Sequence, residues 1–179
     1  MTSRLAPPTR PLAALLLAAC LSGCGDPPPD RLSGVLRYEY PYGPQRSGHL
    51  HYDLAPPVGG AHNALWQTCG IYAQPLYDEY AVHTLARGAV WLTYRPDLPA
   101  AEVAQLSALT RGQPLTLLSP YPGQTAAVTA SAWNVQMQAQ NAADPRLARF
   151  IREFAGAKGG APEQGLGCSG GTQAVRPPA

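Results

Sequence analysis

The chain has 179 residues, enough for one domain with a substantial core. Only 13% of residues are charged, about half the usual share. The formal net charge is +2 and no basic cluster is present, which excludes nucleic acid as the main partner.

Residues 1–10 carry Arg4 and Arg10 and no acid, and residues 12–19 read LAALLLAA. A basic stretch, an apolar stretch and then small residues describe a secretory leader. The apolar run ends at Gly23 and is too short to span a membrane, which takes about 20 residues. With Arg4 and Arg10 set aside, 11 of the 13 basic residues remain against 11 acidic ones. The run closes on LSGC at 21–24, which resembles the lipobox of bacterial lipoproteins. That resemblance implies cleavage before a cysteine that carries diacylglycerol and usually a further acyl chain. LAAC at 17–20 fits the same pattern. Cys24 is the better site, because cutting there leaves a longer apolar segment than cutting before Cys20. The implied protein is anchored on the extracytoplasmic face of a membrane, by two or more acyl chains. Residues 24–34, with Pro27, Pro28 and Pro29, form an extended tether.

An α+β domain is predicted over residues 35–156. Residues 35–40 (VLRYEY) and 49–54 (HLHYDL) alternate apolar and polar and predict two strands in a hairpin-like arrangement. Residues 55–63 (APPVGGAHN) are a loop. Residues 78–87 predict a helix, with Asp78 as a cap and Gly88 as its stop. Its apolar face is Ala81, Val82, Leu85 and Ala86. Glu79, His83 and Arg87 fall on the opposite stripe, where an exposed i,i+4 ladder is the ordinary expectation.

Residues 88–94, 114–119 and 127–133 predict buried strands, and 98–112 a helix with Pro99 at its start. Residues 120–123 (PYPG) are a turn. Residues 143–156 predict a helix capped by Asp144, with Leu147, Phe150, Ile151 and Phe154 on one face. The resulting order is β-α-β-β-α, whose β-α-β portion allows a parallel crossover.

Residues 157–179 form a Gly/Pro-rich tail. If Cys20 leaves with the leader and Cys24 is lipidated, Cys69 and Cys168 remain. An even pair in an exported chain reads as a disulfide that ties the tail back. Two free thiols, or Cys69 as a nucleophile beside a histidine, are the alternatives.

The segments PPVGGAHN, WQTCGIY, AVHTLARGAVWLTYRPDLP, LLSPYPG and GCSGG occur in order across most of residues 49–171. This ordered set resembles a bacterial family known as domain of unknown function 3105 (DUF3105). The resemblance implies an exported single-domain protein and brings no reaction with it. The family pattern after AVH typically runs Ser/Thr-Leu-Glu-His-Gly. Here Ala86 stands for the glutamate and Arg87 for the histidine, and a guanidinium cannot ligate a metal.

Four histidines remain as candidates for binding a ligand or metal. His49 and His51 would share a strand face with Asp53, and His62 follows Gly59 and Gly60. With His83 they could form a zinc or copper site. Their spacing matches no compact metal motif, so no cofactor is predicted, and scattered solvated histidines are the first expectation. Tyr38, Tyr40 and Tyr42, with Tyr77 and Tyr80, suit either an aromatic-edged core or an interface. No catalytic constellation is recognisable. The sequence therefore predicts a lipid-anchored binding or scaffolding module. The alternative is a metal-binding protein or metal-dependent enzyme built on His62 and His83.

Overall fold

Six strands form one mixed sheet in the computed structural model, which describes residues 32–156 and 160–177. The leader, Cys20 and Cys24 lie outside the described residues. The elements run β1 (Val35–Arg37), β2 (Gly70–Ile71), α1 (Asp78–Ala86), β3 (Val90–Tyr94), α2 (Ala100–Thr110), β4 (Thr116–Pro120), β5 (Val128–Ala132), β6 (Val135–Ala139) and α3 (Pro145–Phe154). Across the sheet the order is β1-β6-β5-β3-β4-β2. β3 and β4 are parallel and joined through α2, while β3, β5 and β6 pair antiparallel in sequence. The α+β class and the parallel β-α-β unit expected from the sequence are both present.

Strand alternation sorts the core into two layers. Val90, Leu92, Leu118, Ala130 and Met137 pack with Leu106 of α2 and Leu147, Phe150 and Ile151 of α3. Trp91 and Leu117 point the other way, into a cluster with Ala81, Val82, Leu85 and Ala86 of α1. The central strands β3 and β4 are thus buried on both faces, which is why they read as continuous apolar runs. α3 starts as expected: the Asp144 carboxylate accepts from the Arg146 N–H at 2.9 Å, with Pro145 in the first turn.

Three expectations need correction. Residues 49–54 form no strand, although exposed and half-buried residues still alternate along them. β1 ends at Arg37 and pairs with β6 instead of with 49–54, so there is no N-terminal hairpin. β1 is the terminal strand of the sheet, and residues 49–54 form no ladder along its outer edge but run as irregular backbone. β6 itself is an extra strand, reached from β5 through a tight turn in which Asn134 adopts φ 59°. The Asn134 side chain clamps the returning chain, accepting from the Tyr40 N–H at 3.0 Å and donating to the Tyr40 carbonyl at 2.9 Å.

The third correction concerns α1. Its stripe of Glu79 and His83 is buried, not an exposed ladder. The sheet covers one side of the helix and the tail covers the other. Asp78 is the first helical residue and makes no side-chain cap; Tyr77 holds the cap position.

The tail is fastened by a disulfide between Cys69 and Cys168, with a Cα–Cα distance of 5.4 Å and a sequence separation of 99. Backbone hydrogen bonds flank it: Cys69 N–H to the Cys168 carbonyl, Thr68 N–H to the Thr172 carbonyl, and Thr172 N–H to the Trp66 carbonyl. A Cβ at Gly171 would collide with Trp66, so only glycine lets the tail approach this closely. Among the described residues no helix is long and apolar enough to cross a membrane.

Two predictions follow from this packing. Replacing Cys69 and Cys168 together by serine should lower stability by about 2–5 kcal/mol, as for native disulfides closing long loops. Urea unfolding measures this, and a loss under about 1 kcal/mol would mean that the hydrogen bonds suffice to hold the tail. The second prediction concerns Asp78. Burial raises its carboxyl pKa above the ordinary 3.8, and Glu79 adds to the rise, against the opposing Arg176 and Tyr121. A raised folded-state pKa means stability that is fully present below pH 3.8 and lost as pH rises through the folded value. Asp78→Asn should therefore be more stable than the parent at neutral pH, with the difference closing below about pH 4. Thermal unfolding across pH 3–8 tests the sign.

Candidate metal centre

His62 is set by the glycine turn before it. Gly60 adopts φ +99°, and the Gly60 carbonyl accepts a hydrogen bond from His62 Nδ1–H at 2.9 Å. A carbonyl can only accept, so Nδ1 carries the ring proton and Nε2 keeps its lone pair. That Nε2 is buried and has no hydrogen-bonding partner among the described residues. The backbone is held too: Arg46 N–H donates to the His62 carbonyl at 2.8 Å.

His83 comes from the middle of α1. Its ring centroid lies 4.7 Å from that of His62, and its Nε2 lies 3.1 Å from Glu163 Oε2. Glu163 arrives from the tail, where its own N–H donates to the Ala86 carbonyl at 2.8 Å. One nitrogen from each ring and a Glu163 oxygen lie within 4.8 Å of one another. Among the described residues, no other trio of His, Cys, Asp or Glu is grouped in this way. His62 is fully buried, His83 is 2% exposed and the Glu163 side chain 15%.

Aromatic rings wall the cluster. Trp133 meets His62 edge-on at 6.2 Å, Trp66 meets His83 edge-on at 5.7 Å, and Tyr42 tilts against His62 at 5.3 Å. The Tyr42 hydroxyl donates to Glu163 Oε1. Arg87 stacks its guanidinium on Trp66 at 3.9 Å and donates to the Gly167 and Leu166 carbonyls, with Nη1 3.6 Å from Glu163 Oε2.

These surroundings set the charges. Burial holds the His62 pKa below its ordinary 6.5, so its imidazole is neutral at pH 7 with Nε2 free to donate an electron pair. Burial works to raise the Glu163 pKa, but the Tyr42 hydroxyl, His83 and Arg87 together outweigh it. Glu163 therefore stays a carboxylate well into the acid range. In turn, the hydrogen bond to Glu163 raises the Tyr42 pKa and keeps the phenol protonated. The result is a largely buried cluster in which two imidazoles and one carboxylate meet, bordered by aromatic rings. Such a set can bind a divalent ion of borderline softness or relay a proton between His83 and Glu163.

Not all four candidate histidines meet here. His49 is 74% exposed at its side chain and lies 3.7 Å from Glu79, and His51 is exposed on the irregular 49–54 segment. Neither joins His62 and His83. Glu163 was not among the residues singled out from the sequence. One signal was available: it is the only acid in residues 157–179, the segment that a Cys69–Cys168 bond folds back onto the domain.

Neither the curated proteins nor the solved structures contain a match to this chain. A family described as a protein of unknown function (DUF3105) matches residues 45–170, a stretch that holds His62, His83, Glu163 and both disulfide cysteines. The match covers more than two thirds of the sequence, and the chain belongs to the DUF3105 family.

Proposed function

We propose that this protein is a metal-binding module, held at the extracytoplasmic face of a membrane by a lipid on Cys24, whose site takes a zinc or copper(II) ion. The observation that carries the reading is the buried, unpartnered Nε2 lone pair of His62 beside His83 and Glu163. A buried nitrogen without a partner costs about 1–3 kcal/mol, and a metal ion is a partner that would engage it together with His83 and the Glu163 carboxylate. Two nitrogens and one oxygen suit zinc with a fourth position open to water, and they suit copper(II) equally.

The spacing is close to what an ion needs. Zinc bonds of about 2.0–2.2 Å put tetrahedral ligand atoms about 3.3–3.5 Å apart. His83 Nε2 and Glu163 Oε2 already stand at 3.1 Å, so the closure falls mainly to His62. An ion bound at His83 Nε2 would take the place of the hydrogen bond to Glu163, with the ring proton carried on Nδ1. The neutral state of His62 at pH 7 means that no proton has to leave that ring first.

Titration of the full chain in detergent with Zn²⁺ and Cu²⁺ should give one ion per chain. His62→Ala and His83→Ala should each weaken binding by more than about 100-fold, beyond what loss of a supporting group costs. No binding of either ion, or binding indifferent to both substitutions, would overturn the reading. The anchor is tested separately by metabolic labelling with a fatty acid. Label should be incorporated by the parent and lost in Cys24→Ser; label that persists in that variant would remove Cys24 as the lipid site.

A further inference from the structure

Resting on the metal reading above, we infer that Tyr42 is a positioning residue that sets how Glu163 meets the ion. A carboxylate can bind a metal through one oxygen or both, and the choice fixes how many positions remain. In this structure the two oxygens of Glu163 are already assigned. Oε1 accepts from the Tyr42 hydroxyl, and Oε2 faces His83. The phenol therefore presents Glu163 to the pocket as a one-oxygen donor. With His62 and His83 that makes three protein donors and keeps a fourth position for water or an outside ligand.

Tyr42 is 50% exposed. Its ring covers His62 at 5.3 Å and lies 6.2 Å from Trp133. It lies just ahead of residue 45, where the family match begins. A half-exposed phenol gains little from burial, so its link to Glu163 stands out as its main polar interaction. Arg87 faces the same carboxylate from the other side, 3.6 Å from Oε2. Without the hydroxyl, Oε1 is released to turn toward the ion.

The test uses Co²⁺ as a spectroscopic probe in the full chain purified in detergent, with Tyr42→Phe and Tyr42→Leu as variants. Both remove the hydroxyl and keep apolar cover over His62, and either one that folds suffices. Co²⁺ affinity should fall by about 10- to 100-fold, as for loss of an outer-shell partner. The visible Co²⁺ absorption should weaken as the carboxylate becomes bidentate and coordination rises from four to five. Thermal unfolding of the metal-free variants should match the parent. Parent-like affinity and spectrum in a folded variant would overturn the inference while leaving the metal site standing. Weakened binding with an unchanged spectrum would also overturn it, because Tyr42 would then only support the fold. Failure of the parent chain to bind Co²⁺, Zn²⁺ or Cu²⁺ at all would overturn the metal reading itself, and this inference with it.

Discussion

α1 is buried on two sides, and that constraint orders the half of the molecule that carries the site. The sheet covers Ala81, Val82, Leu85 and Ala86, as an amphipathic helix requires. The tail then closes over His83 and Arg87 on the opposite stripe. Polar groups enclosed in this way need partners. The tail supplies them through the Glu163 carboxylate and the carbonyls of Leu166 and Gly167. The disulfide and its flanking hydrogen bonds hold that arrangement together.

Arg87 shows how one departure from the family pattern is absorbed. At this position an arginine adds no metal ligand. It becomes a fastener instead: its planar guanidinium stacks on Trp66, donates to two tail carbonyls and faces Glu163. A charged fork with several donors suits this task better than an imidazole, which offers at most two. Ala86, where the pattern has glutamate, packs into the core, and its carbonyl accepts from the Glu163 N–H. Arg87 thus helps to dock the segment carrying Glu163, beside Tyr42, His83 and the Ala86 backbone carbonyl.

The local elements were largely legible in the sequence. α3 follows from a capping aspartate, a proline in the first turn and a clear apolar face. β3, β4 and β5 follow from runs of strand-forming residues between turns. β6 was missed although Val135, Met137 and Ala139 alternate with Gln136 and Gln138, because Trp133-Asn134 is not a strong hairpin signal. Residues 49–54 had good alternation and form no strand. Alternation shows that one face is covered, but a strand also needs a backbone ladder, and residues 49–54 form none with the outer edge of β1. β2 has only two residues and carries no period at all.

The sequence by itself carried the α+β class and the main helices, and it favoured a pairing of Cys69 with Cys168 that the structure contains. Each rests on local composition, short-range period or a simple count. It also identified His62 and His83 as candidates, from a glycine loop and a helix position. Only the tertiary structure decided which histidines meet and what completes the group. His62, His83 and Glu163 are separated by 21 and 80 residues, and no periodicity links a loop, a helix and a tail. His49 and His51 had the closest spacing and yet stay at the surface. Proximity in the fold is set by chain closure and by the need of buried polar groups for partners, and neither is written in residue spacing.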